Sequence, residues 1–274
     1  MSVVAASRSE FTKQFSTSMW WILAIVLVAY VGFTAAVLAF ALAASTTGAI
    51  GGDGPSLPAD QISPLLYSVG TAVGYVFPLL IGTLMVTTEF RHKTLTPTFL
   101  ATPRRGTVLW AKIVVGIVVG AIFGVIGVVA SVGPAAAFLV GYGLDTDFAS
   151  SDTWTLLGRM LIAYVLWVVI GIGVGALVRN QVGAVVGVLV FTQFLEPVAR
   201  AAAAFVEQIE PIVRYLPGAA SDALVGASIF ALSAGPGGGT GDPLEWWAGG
   251  LVLLAYAVVL LLLGYFTSWR RDVS

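Results

Sequence analysis

Six long apolar runs dominate the sequence and leave it very few folds. They are Trp20–Ala44, Leu65–Thr87, Ile113–Val140, Trp154–Leu177, Val182–Ala204 and Trp246–Phe266. A helix needs about 20 apolar residues to cross the roughly 30 Å hydrocarbon core of a bilayer. Charged residues make up only 10% of the 274-residue chain, against about 25% in a typical soluble domain. Too little polar surface remains to cover a water-soluble particle, which excludes a cytosolic enzyme, a disordered chain and a nucleic-acid-binding domain. Cysteine is absent, so disulfides and thiolate metal sites are excluded as well. The expected fold is an all-α polytopic membrane protein with six transmembrane helices across residues 20–274, preceded by a polar segment, 1–19.

Two runs need comment. In the fifth, Glu196-Pro197 follows fourteen residues from Val182, which as helix cover only about 21 Å. The chain therefore either continues past the proline as a kinked helix or stops short and re-enters. The first run has a basic flank (Arg8, Lys13) and an Ala41-Leu42-Ala43 step resembling a signal-peptide cleavage site. Its 25 residues exceed the roughly 7–15 of a signal h-region, so it is read as a retained span.

Orientation follows from the basic residues, which favour cytoplasmic loops. With the N-terminus inside, Arg8, Lys13, Arg91, Lys93, Arg104, Arg105, Lys112, Arg179, Arg270 and Arg271 lie on the cytoplasmic side. Only Arg159, Arg200 and Arg214 lie outside. Both termini are expected in the cytoplasm. Trp20, Trp21, Trp110 and Trp269 then fall at inner boundaries, and Trp154, Trp246 and Trp247 at outer ones, where indoles prefer to sit. Trp167 alone is mid-span and is read as packing.

Between the spans, residues 1–19 interleave Phe11 and Phe15 with Arg8, Glu10 and Lys13, the pattern of an amphipathic helix lying in the inner membrane interface. Residues 45–64 read as a flexible outer loop, and 141–153 as a short acidic one that lacks the glycine and terminal glutamate of an EF-hand loop. In the outer region 205–245, Glu207, Glu210, Pro211, Arg214 and Pro217 precede a short apolar stretch, Ala219–Leu232. This predicts one or two short re-entrant helices, followed by a glycine-rich linker, Gly235–Pro243. Gly116, Gly120, Gly124 and Gly127 in the third run, with Gly171 and Gly175 in the fourth, have the small-residue spacing that lets helices approach closely.

Catalytic constellations are missing. There is no phosphate-binding G-x-x-x-x-G-K-[ST] loop, no H-E-x-x-H helix, and a single histidine, His92. No catalytic, cofactor-binding or metal-binding residue is therefore expected on this chain. Glu196 and Arg200 are four apart, the spacing of a helical pair. With Pro197 they form a candidate outer gate.

The informative segment is 88–105. Its first half can form about two turns of helix projecting from the second span, limited by Pro97, which lacks a backbone donor and disfavours helix just before it. Glu89-Phe90-Arg91 with Thr94-Leu95, then Thr102-Pro103-Arg104-Arg105 and Lys112 opening the next run, resembles the ABC-2 type permeases of ABC transporters. The resemblance extends over the N-terminal helix, the six spans and the Tyr215-Leu216-Pro217 step. It implies that 88–105 is the coupling segment that docks on a separate ATPase subunit. Glu89, Phe90, Arg91, His92, Lys93, Thr94, Leu95, Phe99, Arg104 and Arg105 would form that dock, with Phe90, Leu95 and Phe99 as apolar anchors. ATP and Mg would bind the partner ATPase, not this chain. Six spans are half the usual twelve, implying a second copy or a similar permease, set in membrane lipid. No importer-type E-A-A…G…I-x-L-P loop is found, so the resemblance favours an exporter of a hydrophobic or amphiphilic substrate (drug, lipid-like molecule or peptide). The alternative is a non-transporting membrane scaffold or immunity protein.

The topology is directly testable, because the chain has no native cysteine. Single cysteines at Ser56, Ser150 and Thr240 should react with an impermeant external thiol reagent, and cysteines at Thr98 and Ser274 should not. External labelling at Thr98 would invert the orientation.

Overall fold

The computed structural model describes residues 3–48, 58–101, 104–203, 205–206, 208–230 and 244–269. Thr102-Pro103, Glu207, the Gly235–Pro243 linker and Arg270-Arg271 lie outside the described residues. Among those described, the secondary structure is helical throughout, as the apolar runs require. The helices are α1 (Val3–Ser16), α2 (Met19–Thr46), α3 (Ala59–Ala72), α4 (Val76–Arg91), α5 (Leu95–Ala101), α6 (Arg105–Gly141), α7 (Ser151–Leu177), α8 (Gln181–Val190), α9 (Glu196–Ala203), α10 (Glu210–Val213), α11 (Pro217–Val225) and α12 (Trp246–Gly264). Six stretches are long and apolar enough to cross a membrane: Met19–Thr46, Gln61–Arg91, Arg105–Gly141, Ser151–Leu177, Gln181–Ala203 and Trp246–Thr267. They coincide with the six runs read from the sequence, the second gaining about a turn at each end and the third about two turns at its start.

Prolines decide where these spans depart from straight helices. The second span breaks at Val73–Tyr75, between α3 and α4. Pro78 has no N–H for the Gly74 carbonyl, so the ladder is interrupted there. The sequence pattern, apolar throughout, gave no sign of this break. In the fifth span the helix widens into a π-turn at Phe191–Leu195 and then continues as α9 past Pro197. A π-turn makes room where the proline ring would strike the preceding turn. Of the two alternatives left open by the sequence, the chain takes the kinked, continuous one.

α4 and α7 form the centre of the bundle, and α7 also packs against α6 and α12. Most of the second span is buried, whereas α2, α8 and α12 turn most of their apolar surface outward, as lipid-facing helices do. The glycine spacing has the expected use. Gly116, Gly120, Gly124 and Gly127 all face α7, against Ile172, Val165, Leu161 and Tyr164. Gly171 is tighter still: a Cβ there would drive into the Leu79 carbonyl and crowd Thr83 of α4. The α4–α7 approach therefore rests on backbone touching backbone, the contact that small residues provide in lipid. Trp167 is a packing residue, stacked on Tyr75 with ring centroids 4.5 Å apart, and its indole N–H donates to Ser221 Oγ at 3.1 Å.

Two short helices, α10 and α11, occupy the region before the last span. α11 is wedged against α12, α7 and α3. Its Pro217, Ala220, Ser221, Leu224 and Val225 are buried, so it is an integral part of one end of the bundle.

A matched pair of substitutions on α7 tests the glycine contact. Gly171→Val should lower the thermal midpoint sharply, since overpacking a rigid site costs about 1–3 kcal/mol or more. Gly158→Val, on the same helix with open space around its Cβ, should leave it nearly unchanged.

Candidate functional site

The segment after the second span differs from the sequence expectation in its helix, and the reason is local. α4 runs on to Arg91, and the chain then turns at Lys93, which adopts a left-handed conformation with φ 54°. The Thr94 amide reaches back to the Glu89 carbonyl at 3.0 Å and closes the helix end. A separate helix, α5, follows. Pro97 does not limit a helix here but sits in the first turn of α5, where backbone N–H groups have no partner to lose.

The anchors expected to face a partner are instead used within the chain. Leu95 is 1% exposed. Phe90 and Phe99 make edge-on contacts with Trp269, at 6.2 and 5.6 Å between ring centroids. Trp269, read from the sequence as a boundary indole, is itself 1% exposed. Its Nε1–H donates to the Arg105 carbonyl at 2.9 Å, and the Arg105 guanidinium donates to the Trp269 carbonyl at 3.2 Å while lying over the Phe99 ring. The end of the last span is thus clamped between α5 and the start of α6. What α5 and its approach turn outward is Arg91, His92, Lys93, Thr94, Pro97, Leu100 and Arg104. Leu100, 79% exposed, is the one large apolar side chain on that face among the described residues.

Behind this segment lies a cluster of four charges that the sequence reading did not assemble. Lys112, on α6, is 1% exposed, and its Nζ lies 2.6 Å from Glu10 Oε2 and 3.0 Å from Glu89 Oε2. Lys13 completes the set, 2.7 Å from Glu10 Oε1 and 3.0 Å from Glu89 Oε1. Lys112 also donates to the Met85 carbonyl at 3.2 Å. Three elements, α1, α4 and α6, therefore meet on one ion-pair network. α1 forms as expected, with Phe11, Phe15 and Trp20 in a chain of ring contacts. The side it lays on α6, however, carries Ala6 and Glu10, so it is seated by charge as well as by apolar contact. The signal was present: a lysine two residues inside the Trp110 boundary must find a carboxylate or remain a costly buried charge.

At the opposite end, the expected Glu196–Arg200 pair is replaced by two others. Arg200 donates to Asp222 of α11 at 2.5 Å and lies over the Phe230 ring at 4.1 Å. Glu196, 2% exposed, accepts the Ala219 amide at 3.0 Å and so caps the start of α11. The kink in the fifth span turns these residues towards α11, and a partner distant in sequence wins over the local one. Pro197 lines a cavity of about 190 Å³ together with Tyr30, Tyr75, Glu196 and Arg200. Asp222, the acidic residue of the apolar stretch after Pro217, was the missed member of this group.

Comparison with known proteins agrees with this architecture. A family model described as ABC-2 family transporter protein matches residues 60–273. No curated protein matches the chain.

The charge cluster makes a pH prediction. Burial opposes ionisation of Glu10, but the Lys112 ammonium and hydrogen bonds from Lys112 and Lys13 outweigh it and hold the carboxyl below its ordinary value of 4.5. Burial likewise opposes charge on Lys13, and Glu89 and Glu10 outweigh it, raising the ammonium above 10.5. A lowered carboxylate stabilises fully above pH 4.5, and that stabilisation is lost as pH falls through the folded-state value. A raised lysine stabilises below pH 10.5 and loses its contribution above the folded-state value, weakly here because Lys13 is 42% exposed. A nitroxide at Ser9 should therefore show constant, restricted mobility from about pH 5 to 10 and become mobile in acid.

Proposed function

The chain belongs to the ABC-2 transporter family, and on that footing we propose that it is the permease subunit of an ATP-driven exporter. Its multi-pass helical bundle resides in a cell membrane. A separate ATPase subunit binds ATP and Mg and docks on the surface formed by α5 and its approach turn. Its working partner within the membrane is a second copy or a similar permease. The substrate is a hydrophobic or amphiphilic molecule moved out of the cytoplasm or the inner leaflet, in keeping with spans that are nearly free of charged groups.

The observation that carries this reading is the exposed face of α5. α5 itself presents one large apolar side chain among the described residues, Leu100, and is braced from behind through Phe99 by Trp269, while Arg91, His92, Lys93 and Arg104 stand exposed in the segments on either side of it. A rigid helix that presents one apolar anchor inside a basic rim fits a groove with an apolar pocket and acidic edges. Arg91 suits such an edge, because its guanidinium pairs with carboxylates through a fork that lysine lacks. The basic residues flanking α5 support a cytoplasmic position for it, on the side where the ATPase acts. Export is supported by the absence of an importer-type docking loop in the sequence.

At the other end, the kinked fifth span joins Glu196 and Arg200 to α11 and forms the outer gate. Broken helices in transporters line cavities in this way.

The roles of the apolar residues now divide into two groups. Truncating an interface anchor costs on the order of 2 kcal/mol, about thirtyfold in affinity. Leu100→Ala should therefore reduce ATPase co-purification strongly while leaving the thermal midpoint unchanged. Phe99→Ala should lower both, because it loosens the Trp269 clamp. The measurement is pull-down at matched expression, together with a melting curve for each variant. Full ATPase recovery by a Leu100→Asp, Arg91→Glu double variant would remove the docking assignment.

A further inference from the structure

We propose that Lys112 is a positioning residue for transport: by bridging Glu10 of α1 and Glu89 of α4, it makes α1, the docking segment and α6 move as one unit. The inference rests on the docking reading above and adds the path by which force leaves the dock.

The docking helix is short and joined to α4 through the left-handed turn at Lys93. A turn of that kind can bend when the helix beyond it is pushed. Beyond the chain itself, which enters α6 at Arg105 after a three-residue step from α5, two side-chain links run from the segment into the bundle. One is the aromatic clamp, where Phe90 and Phe99 meet Trp269 edge-on, and such contacts allow sliding. The other is the ion-pair network. Glu89 stands two residues before the end of α4. Lys112 holds its Oε2 at 3.0 Å and Glu10 Oε2 at 2.6 Å, and is itself 1% exposed. Lys13 binds both carboxylates from the other side and approaches Thr98 Oγ1 of α5 at 3.4 Å.

An ion pair without water around it cannot be stretched gradually, because separation leaves uncompensated buried charges. Such a joint either holds or fails. Displacement of α5 is therefore handed to α6, whose 37 residues run about 55 Å, through the bundle to its far end. α1 is drawn into the same movement through Glu10. An ordinary membrane-surface anchor would need no carboxylate buried to 6% exposure on its inner side.

The test uses the full chain with its co-purified ATPase in lipid nanodiscs, and reads the far end of the bundle. The native chain is free of cysteine, and Ile212 on α10 is 68% exposed. In an Ile212→Cys background, the maleimide labelling rate is measured before and after trapping with ADP and vanadate. The wild-type rate should change on trapping. Lys112→Met should retain the ATPase and its hydrolysis but lose the trapping-dependent change, and Lys112→Arg should restore it. Glu10→Gln, which frees α1 alone, should reduce the change with hydrolysis intact. Should Lys112→Met fail to assemble, the variant Glu10→Gln, Glu89→Gln, Lys112→Met leaves no unpaired buried charge, since the remaining Lys13 is 42% exposed and reaches solvent, and it should assemble yet remain unresponsive. A wild-type response from that triple variant, or from Lys112→Met, overturns the positioning role. Loss of response only in step with loss of bound ATPase overturns it too. A wild type that binds no ATPase instead removes the docking reading on which it rests.

Discussion

An ammonium shut inside an apolar bundle must be matched by carboxylates, and Lys112 is matched by two that come from different helices. That requirement fixes α1 against α6 and draws the end of α4 to the same point. The other directional contact near the docking segment, the reciprocal hydrogen bonds of Trp269 and Arg105, ties the last span to α6 and leaves α1 and α4 untouched. Hydrophobic packing sets how closely helices lie, whereas a charge with two defined partners sets where along their length they meet. The position of α5 follows, because α5 hangs from α4 only a few residues beyond Glu89.

The two ends of the bundle solve similar problems differently. At the α5 end, charges inside the bundle are balanced two against two, and the surplus basic residues stand on the outer face. At the other end, Arg200 is paired with Asp222, and Glu196 is used as a helix cap. Between them runs a glycine-lined seam where α4, α6 and α7 touch backbone to backbone. A seam of this kind resists compression, and so can carry a shift at one end to the other. On the proposed reading that division is functional: one end receives the ATPase and the other holds a cavity beside a kinked helix.

The spans were legible in the sequence because length and apolarity alone decide them. Glycine spacing likewise named the faces of α6 and α7 that pack. The Val73–Tyr75 break was hidden, since Pro78 and Gly74 both occur in unbroken membrane helices. The segment between the second and third spans was legible as helical but not in orientation. A short loop containing Phe90, Leu95 and Phe99 offers no periodicity to show which residues face inward, and their partner, Trp269, lies at the other end of the chain. Glu196 and Arg200 were paired for their spacing, yet each finds its hydrogen-bond partner on α11 instead, Glu196 in the Ala219 amide and Arg200 in Asp222. Long-range partners decided each miss: Trp269 for the anchors, Asp222 for Arg200, and Glu10 and Glu89 for Lys112. Lys112 did advertise its need, as a charge at the edge of an apolar run.

The central claim is that the outward face of α5, and not its buried apolar side, meets the ATPase. Placing a photo-activatable amino acid separately at Leu100 and at Leu95 tests it most directly. The account predicts ultraviolet-dependent crosslinking of the ATPase from position 100, and from position 95 only crosslinks within the chain itself. Crosslinking of the ATPase from position 95 but not from position 100 would contradict it.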